Sequence, residues 1–249
     1  MIPKVIHYFW FGGKPLTELA CKCIASWKRY LPDYEICRWD ESNFDVNIIS
    51  YTRDAYAAGK YAFVSDYARF RVLYDHGGVY FDTDVEVLKP MSDVLANGPY
   101  MGFESTGKED QLAVNPGLGM AAMPAMELFA KVLLRYESLP FTIEEGRLNP
   151  YTMIPLVTDL LKKQGLKGDG GIETAAGFRI YPPDWFNPFD DATGRMRKTS
   201  NTRSVHWYSK TWMPTEPRLS IELKRFGRRI FGKGFVAGVG KLLRRKSGR

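Results

Sequence analysis

Two aspartates separated by one residue, Asp82 and Asp84, are the strongest candidates for chemistry in this sequence. Their carboxylates are hard oxygen ligands, which suit a divalent cation such as Mg²⁺ or Mn²⁺, and such a cation suits a substrate with phosphates. Residues two apart on an extended chain face the same side, so we expect both carboxylates to face one point. An Asp-x-Asp pair is also common in solvated turns, so the pair alone leaves both interpretations open.

The segment before this pair favours the functional interpretation. The sequence predicts a helix from Ser65 to His76, with Ser65 as its N-cap and Asp66 in its first turn. Gly77 and Gly78 supply the backbone freedom that ends a helix, and residues 79–81 predict a short buried strand. The strand leads directly into Asp82, so a helix, a glycine turn and a strand would together position the two carboxylates.

The first ninety residues alternate between predicted strands and helices. Residues 3–11 predict a buried strand, residues 16–30 an amphipathic helix, residues 34–39 a second strand and residues 48–59 a further helix. This order predicts an α/β fold with a mostly parallel central sheet flanked by helices.

The pattern is weaker after Pro90. Strands are predicted at residues 100–104 and 112–120, the second interrupted by a Pro-Gly turn. Helices are predicted at residues 124–136, with the proline at the first helical position, and at residues 152–163. We interpret residues 185–193 as an irregular loop rich in aromatic and acidic side chains.

Two residues at predicted strand ends are candidates for ligand contact. Trp10 follows the first strand, and ligands of open α/β sheets bind at the carboxyl ends of strands, so it could stack on a nucleotide base or belong to the core. Asn115 lies at the Pro-Gly turn, where Gly117 and Gly119 would allow the backbone to approach a ligand closely.

A second unusual segment, residues 205–212, contains one of only three histidines among aromatic residues. His206 could bind a metal ion, and Lys210 could neutralise phosphate charge. The alternative is a buried aromatic strand in which the histidine is satisfied by ordinary hydrogen bonds. The aspartate pair favours the metal-binding interpretation.

The net charge of +7 conceals an asymmetry. From Arg218 to Arg249 there are eleven Lys or Arg residues and one acid, so this tail has a charge of +10 and the rest of the chain −3. Apolar residues such as Phe226 and Phe231 lie among the basic ones, as in amphipathic segments that bind anionic membranes. Nucleic-acid binding and a disordered basic tail are the other interpretations of the charge; the apolar residues favour the membrane.

The cysteines predict a reducing compartment. Cys21 and Cys23 are too close for a usual zinc pair, and neither Cys37 nor a nearby histidine completes four ligands. We therefore expect reduced cysteines and a cytosolic location. The sequence shows no signal-peptide pattern and no apolar run of transmembrane length.

Four segments together resemble the bacterial capsular and polysaccharide glycosyltransferases that contain a DXD sugar-binding motif. They are IPKVIHYFWFGG, SWKRYLPDYEI, FVSDYARFRVLYDHGGVYFDTDVEVLKP and HWYSKTW. The same group includes the yeast-type initiating α-1,6-mannosyltransferases, and the glucosylating domains of large clostridial cytotoxins are distant relatives. The likeness is strong from Ile2 to Pro90 and looser from His206 to Trp212. The combination of SDxxR with GGxYxDxD at this spacing makes it specific.

The resemblance implies a GT-A fold, a nucleotide-sugar donor, a Mn²⁺ or Mg²⁺ ion and transfer with retention of anomeric configuration. It also implies how the donor is held. Trp10 would stack on the base, Tyr80 would lie near the phosphates, and Asp66 and Arg69 would hold the hydroxyls of the sugar. Ser65 belongs to the same SDxxR motif and is counted with the donor-binding residues, as is Asn115.

The resemblance also implies which residues bind the metal ion and the leaving diphosphate. Asp82 would contact the ribose, the sugar and the metal region, and Asp84 would bind the metal directly. His206 and Lys210 would serve the metal and the diphosphate, while Trp212 would close over the donor. The sequence differs from the toxin pattern near His206, so the third metal ligand is open at this point.

These observations predict a retaining, metal-dependent glycosyltransferase that moves a hexose from a UDP-sugar to a saccharide acceptor, with a lipid-linked oligosaccharide of capsule, exopolysaccharide or lipopolysaccharide synthesis as the expected acceptor. A GDP-mannose donor and a metal-dependent nucleotide-sugar hydrolase are the alternatives. Residues 1–217 would form the GT-A domain, and residues 218–249 a membrane-associating tail at the inner face of the plasma membrane. Nucleic acid is not an expected partner.

Overall fold

The structure is a computed structural model that describes residues 1–105 and 111–209, together with residues 221, 225, 226 and 228. The predicted roles of Lys210 and Trp212, and of the tail apart from those four residues, lie outside the described residues. In the described part of the chain, no helix is long and apolar enough to cross a membrane.

The described chain contains seven α-helices and twelve strands, with 3₁₀ turns at Pro116–Leu118 and Glu144–Gly146. The helices are α1 Glu18–Tyr30, α2 Ser50–Ala57, α3 Tyr61–His76, α4 Ser92–Ala96, α5 Glu127–Ser138, α6 Met153–Lys162 and α7 Pro183–Phe186. The strands are β1 Val5–Phe9, β2 Glu35–Trp39, β3 Gly78–Tyr80, β4 Val85–Val87, β5 Tyr100–Ser105, β6 Leu112–Val114, β7 Met120–Ala122, β8 Glu173–Ala175, β9 Phe178–Tyr181, β10 Phe189–Asp190, β11 Arg195–Met196 and β12 Ser204–His206.

The main sheet has the strand order β2-β1-β3-β7-β5-β9-β8, with β6 paired to β5. Strands β1, β2 and β3 are parallel, and β5 and β9 run in the same direction as these three. Strand β7 runs against its two neighbours in the middle of the sheet, and β8 runs against β9 at the edge. The sheet is therefore mostly parallel, as the alternating pattern predicted.

Helices cover both faces of this sheet, and each face has its own apolar core. One core contains buried side chains of α2, α3, α5 and α6. The other contains buried side chains of α1, α4 and α7, among them Trp27, whose indole N–H donates to Val85 O at 2.7 Å. Layers of helices on a mostly parallel sheet confirm the predicted α/β fold class.

The predicted start of the helix before the aspartates is wrong. Helix α3 begins at Tyr61, so Ser65 lies inside it and its hydroxyl donates to Tyr61 O at 3.2 Å instead of capping the helix. Val64 is completely buried in the core, and this burial favours extending the helix by one turn toward its N-terminus.

The proline at position 124 does not begin a helix either. Helix α5 starts at Glu127, and Ala125 before it has a φ of 57°, which interrupts the helical backbone. Pro124 packs against the end of α3 instead: a Cβ on Gly77 would lie 2.7 Å from Pro124 Cδ. The predicted irregular loop at 185–193 contains the end of α7 and the short strand β10.

Candidate active site

The Asp82-x-Asp84 pair lies in a turn between two strands at the carboxyl end of β3. The N–H of Val85 donates to Asp82 O at 2.9 Å, which closes the turn and starts β4. Strand β4 pairs antiparallel with β12, and this register places His206 opposite Val85. The sheet pairing therefore brings the histidine to the aspartates from a distant part of the sequence.

Asp82, Asp84 and His206 form a compact cluster of potential metal ligands. One donor atom from each residue lies within 4.8 Å of the others. His206 Nε2 lies 3.2 Å from Asp84 Oδ1 and 3.6 Å from Asp82 Oδ2. Two carboxylates and one imidazole fit Mn²⁺, and the carboxylates also suit Mg²⁺, so the residues present fit the predicted cation.

Charge is balanced inside this cluster. Burial alone would lower the pKa of His206, but the charges of Asp84 and Asp82 raise it to about 10. Burial alone would raise the pKa of Asp84, but His206 and the N–H of Ser209 lower it below its usual range. The carboxylates and the imidazole therefore each favour the charged form of the other.

Arg69 connects helix α3 to this cluster. Its guanidinium donates from Nη2 to Asp66 Oδ1 at 2.9 Å, and its Nη1 lies 3.2 Å from Asp82 Oδ1. The same guanidinium lies over the ring of Tyr80, whose hydroxyl donates to Asp82 Oδ1. Burial raises the pKa of Asp66 to about 6, although Arg69 opposes this rise. The structure thus joins four predicted site residues in one buried network.

Asn115 lies on the other side of Asp82. Its side chain accepts from Gly117 N at 2.7 Å and donates to Glu104 Oε2 at 2.7 Å. A Cβ on Gly117 would lie only 2.5 Å from Asp82 Oδ2, so the turn at residues 115–118 passes directly beside the carboxylate. The turn therefore approaches Asp82 closely at Gly117, and Asn115 orients it; the approach of this backbone to a ligand stays a prediction.

Trp10 follows the carboxyl end of β1, the strand that pairs with β3. Its side chain is partly exposed, and its indole N–H donates to Lys14 O at 2.6 Å. Its exposed ring remains a candidate surface for a base, although it also packs against the core on that face of the sheet. Ser65, in contrast, contributes to the site through its backbone, since its carbonyl accepts from Arg69 Nε at 3.0 Å.

Two further residues beside the cluster were not predicted. Glu104, near the end of β5, accepts from Asn115 and from the Tyr208 hydroxyl, at 3.1 Å for the latter. The ring of Tyr208 packs edge-on against His206 with centroids 4.2 Å apart. An acid near the end of a predicted strand was a usable signal for Glu104, whereas nothing in the pattern distinguished Tyr208 from neighbouring aromatics.

Comparison with known proteins agrees with this geometry. Residues 17–101 match the family model described as "Glycosyltransferase sugar-binding region containing DXD motif". This match includes Asp66, Arg69, Asp82 and Asp84, so this part of the chain is similar to the DXD sugar-binding region of that family. The predicted resemblance to glycosyltransferases with a DXD motif is confirmed for this region, whereas the link to capsule synthesis stays a prediction.

A curated relative is the inositol phosphoceramide mannosyltransferase 1 of Schizosaccharomyces pombe, which is 30% identical over 111 residues. The alignment covers 40% of this chain and 33% of the relative, so the chain spans about a third of its length.

Among solved structures, the PaToxG glycosyltransferase is similar over 66% of this chain and 70% of its own, with a TM-score of 0.50 and 18% identity. A glycosyltransferase involved in glycosylation of the major capsid of PBCV-1 is similar over 89% of this chain and 99% of its own, with a TM-score of 0.47 and 14% identity. The likeness to the first shows the fold, which is of the predicted GT-A type.

Proposed function

We propose that this protein is a metal-dependent glycosyltransferase that moves a hexose from a nucleotide-sugar to a saccharide acceptor. The observation that supports this most directly is the Asp82, Asp84 and His206 cluster beside the buried Arg69–Asp66 pair. One part of the site offers ligands for a cation, and the adjacent part offers charged hydrogen-bonding groups for a sugar. The match of residues 17–101 to a DXD sugar-binding region supports the same assignment.

Different residues of the chain would bind the metal ion and orient the sugar. Asp84, Asp82 and His206 would hold a divalent ion, which supplies Lewis-acid stabilisation for the charge on a departing diphosphate. Arg69 and Asp66 would orient the sugar hydroxyls, converting binding energy into a fixed position of the reacting carbon. Arg69 is itself held by Ser65 O, Asp66 and the Tyr80 ring, so its guanidinium needs little reorganisation on binding.

The stereochemical outcome is part of the proposal. We propose retention, by attack of the acceptor hydroxyl on the same face that the diphosphate leaves. In that route the leaving phosphate accepts the proton of the acceptor, so no enzymic nucleophile is required. Product analysis by NMR of the newly formed anomeric linkage tests this point, and inversion would contradict it.

We propose a UDP-hexose as the donor, with GDP-mannose as the second candidate. The S. pombe relative is named a mannosyltransferase, which favours the second candidate. Its name also includes inositol phosphoceramide, which is a lipid. This agrees with our proposal of a lipid-linked saccharide acceptor, in capsule, exopolysaccharide or lipopolysaccharide synthesis.

Calorimetry with UDP and GDP, each with and without Mn²⁺, tests the proposed function. We expect tight, Mn²⁺-dependent binding of one nucleotide by the wild type and its loss in Asp84→Asn, which keeps the side-chain volume but removes the charge. Asp159→Asn, on α6, is the matched control and should bind as the wild type does. The nucleotide that binds identifies the base.

The outcomes separate the alternatives. Tight GDP binding would replace the UDP-hexose proposal with a mannosyltransferase. Release of free sugar at the same rate with and without an acceptor would indicate a metal-dependent nucleotide-sugar hydrolase. If no nucleotide binds in a Mn²⁺-dependent manner, the transferase proposal is wrong.

A further inference from the structure

Tyr208, two residues after His206, has a backbone conformation that tyrosine rarely adopts. Its φ of 51° lies in the left-handed region, which is sterically unfavourable for a residue with a bulky side chain. Such conformations persist only where surrounding contacts determine them, and they concentrate at functional sites. The contacts of Tyr208 therefore indicate what this conformation achieves.

The hydroxyl group of Tyr208 is held by two polar side chains. It lies 3.1 Å from Glu104 Oε2 and 3.0 Å from Asn187 Oδ1. The hydroxyl can donate to either of these oxygen atoms. Because Asn115 donates to the same oxygen of Glu104, the carboxylate is itself fixed in position.

The ring of Tyr208 orients His206. The two rings are perpendicular, at 88°, with centroids 4.2 Å apart. In metal-binding histidines, the second ring nitrogen usually donates to a partner that fixes the ring orientation. His206 Nδ1 is buried, and within residues 1–105 and 111–209 no partner accepts its hydrogen bond. Packing against Tyr208 thus takes the place of this hydrogen bond.

The backbone of Tyr208 orients Asp84. The backbone N–H groups of the residues before and after Tyr208 both donate to Asp84. Trp207 N donates to Asp84 O at 3.0 Å, and Ser209 N donates to Asp84 Oδ2 at 2.7 Å. The left-handed turn between these two donors lets both face the same aspartate. Asp84 Oδ1 is then left facing His206 Nε2.

We propose that Tyr208, fixed by Glu104, is a positioning residue that arranges His206 and Asp84 as a preformed pair of metal ligands. The inference deepens the proposed function, since it rests on the same metal site. Glu104 and Tyr208 would act through the ligands without touching the ion. A carboxylate on β5 thereby determines the geometry of ligands on β12 and in the turn before β4.

Titration with Mn²⁺ alone, followed by electron paramagnetic resonance of the free ion, tests this proposal. Tyr208→Phe keeps the ring against His206 but loses the hydroxyl, and we expect its Mn²⁺ affinity to fall about 10-fold, at the lower end of the range for such supporting residues. Tyr208→Leu also loses the ring, and we expect a fall of about 100-fold. Tyr151→Phe removes a comparable tyrosine–carboxylate bond, to Asp159 at 3.0 Å, and should leave the affinity unchanged.

Glu104→Gln is a second variant that leaves Tyr208 in place. It replaces the charged acceptor of the Tyr208 hydroxyl by a neutral one and should weaken Mn²⁺ binding. In the double variant with Tyr208→Phe, the two losses should be less than additive, because both changes act on the same bond. Thermal unfolding of the metal-free proteins should change little, which a merely structural role would not allow.

The proposal is wrong if Tyr208→Phe binds Mn²⁺ as tightly as the wild type, if Tyr151→Phe weakens binding equally, or if the wild type does not bind Mn²⁺. A wild type that binds Mn²⁺ in a Tyr208-dependent manner but transfers no sugar would support this inference and contradict the proposed function.

Discussion

Gly117 is the residue whose lack of a side chain leaves room for the Asp82 carboxylate. A Cβ at this position would lie 2.5 Å from Asp82 Oδ2 and 3.0 Å from Asn115 Oδ1. Asp82 cannot rotate away freely, because its other oxygen accepts from Tyr80 and pairs with Arg69. A methyl group at Gly117 must therefore displace the carboxylate from the cluster.

We predict that Gly117→Ala weakens Mn²⁺ binding about tenfold while the protein stays folded, since the Asp82 ligand is kept but shifted from its position. Gly171→Ala is the matched control: a Cβ there would also meet a carboxylate oxygen, Asp169 Oδ1, but at 3.2 Å and on an exposed loop. Mn²⁺ titration and circular dichroism of both variants measure the effect. Equal affinities in the two variants would contradict the close approach as the cause.

At the scale of elements, His7 connects β1, β2 and the end of α3. Its Nε2 donates to Gly77 O at 3.0 Å, and its Nδ1 accepts from Trp39 Nε1 at 3.0 Å. The second bond requires an unprotonated Nδ1, so the neutral imidazole is the form that fits. Burial lowers the pKa of His7 from 6.5 to about 4, and His76 nearby also opposes protonation.

This shift predicts a pH dependence of stability. The unfolded chain binds the proton below about pH 6.5, whereas folded His7 binds it only near pH 4. The contribution of His7, on the order of 3 kcal/mol from this difference, is therefore complete above pH 6.5 and is lost as the pH falls toward 4. Urea unfolding at a series of pH values between these limits measures the loss.

The variant His7→Gln should remove most of this slope, because it removes the group that titrates. His76→Gln should reduce the slope only slightly, since it removes one charge near His7 but leaves its burial and both of its hydrogen bonds in place. An equal slope in the wild type and in His7→Gln would show that other groups determine the pH dependence.

The order of helices and strands was largely predictable from the sequence, because the elements that pack on the sheet have regularly spaced apolar residues such as Val79 and Trp27. The residues at which helices begin were less predictable. We predicted that α3 begins at Ser65, but it begins at Tyr61, because the burial of Val64 outweighs the capping preference of Ser65. Pro124 was misassigned because its packing against Gly77 is a long-range contact that no local pattern records.

The candidate site was predictable in part for the same reason. Asp66, Arg69 and Asp82 lie within one short segment, where helix and strand periods relate them directly. Tyr208 joins the site through the pairing of β12 with β4 and the left-handed turn after it. Long-range strand pairing and a left-handed tyrosine leave no signal in a single sequence.

At the scale of the whole molecule, two of the described residues in the basic segment 218–249 contact the body beside the candidate site. Arg225 pairs with Asp191 at 3.0 Å and lies over the ring of Phe189, and Arg228 donates to Ala192 O at 3.4 Å. Phe189 in turn packs against Trp207, next to His206. If the tail binds a membrane, these contacts would hold the turn after β10 near the bilayer, and a lipid-linked acceptor would be presented close to the site.

We predict that the full chain binds anionic vesicles and that a chain truncated after Pro217 does not. The tail has a charge of +10, and each basic residue near an anionic surface contributes on the order of 1 kcal/mol. Binding should weaken as salt increases, because the attraction is screened. Sedimentation with phosphatidylserine-containing vesicles measures it, with neutral vesicles as the control. If the truncated chain sediments as fully as the full chain, the tail is not the membrane-binding segment.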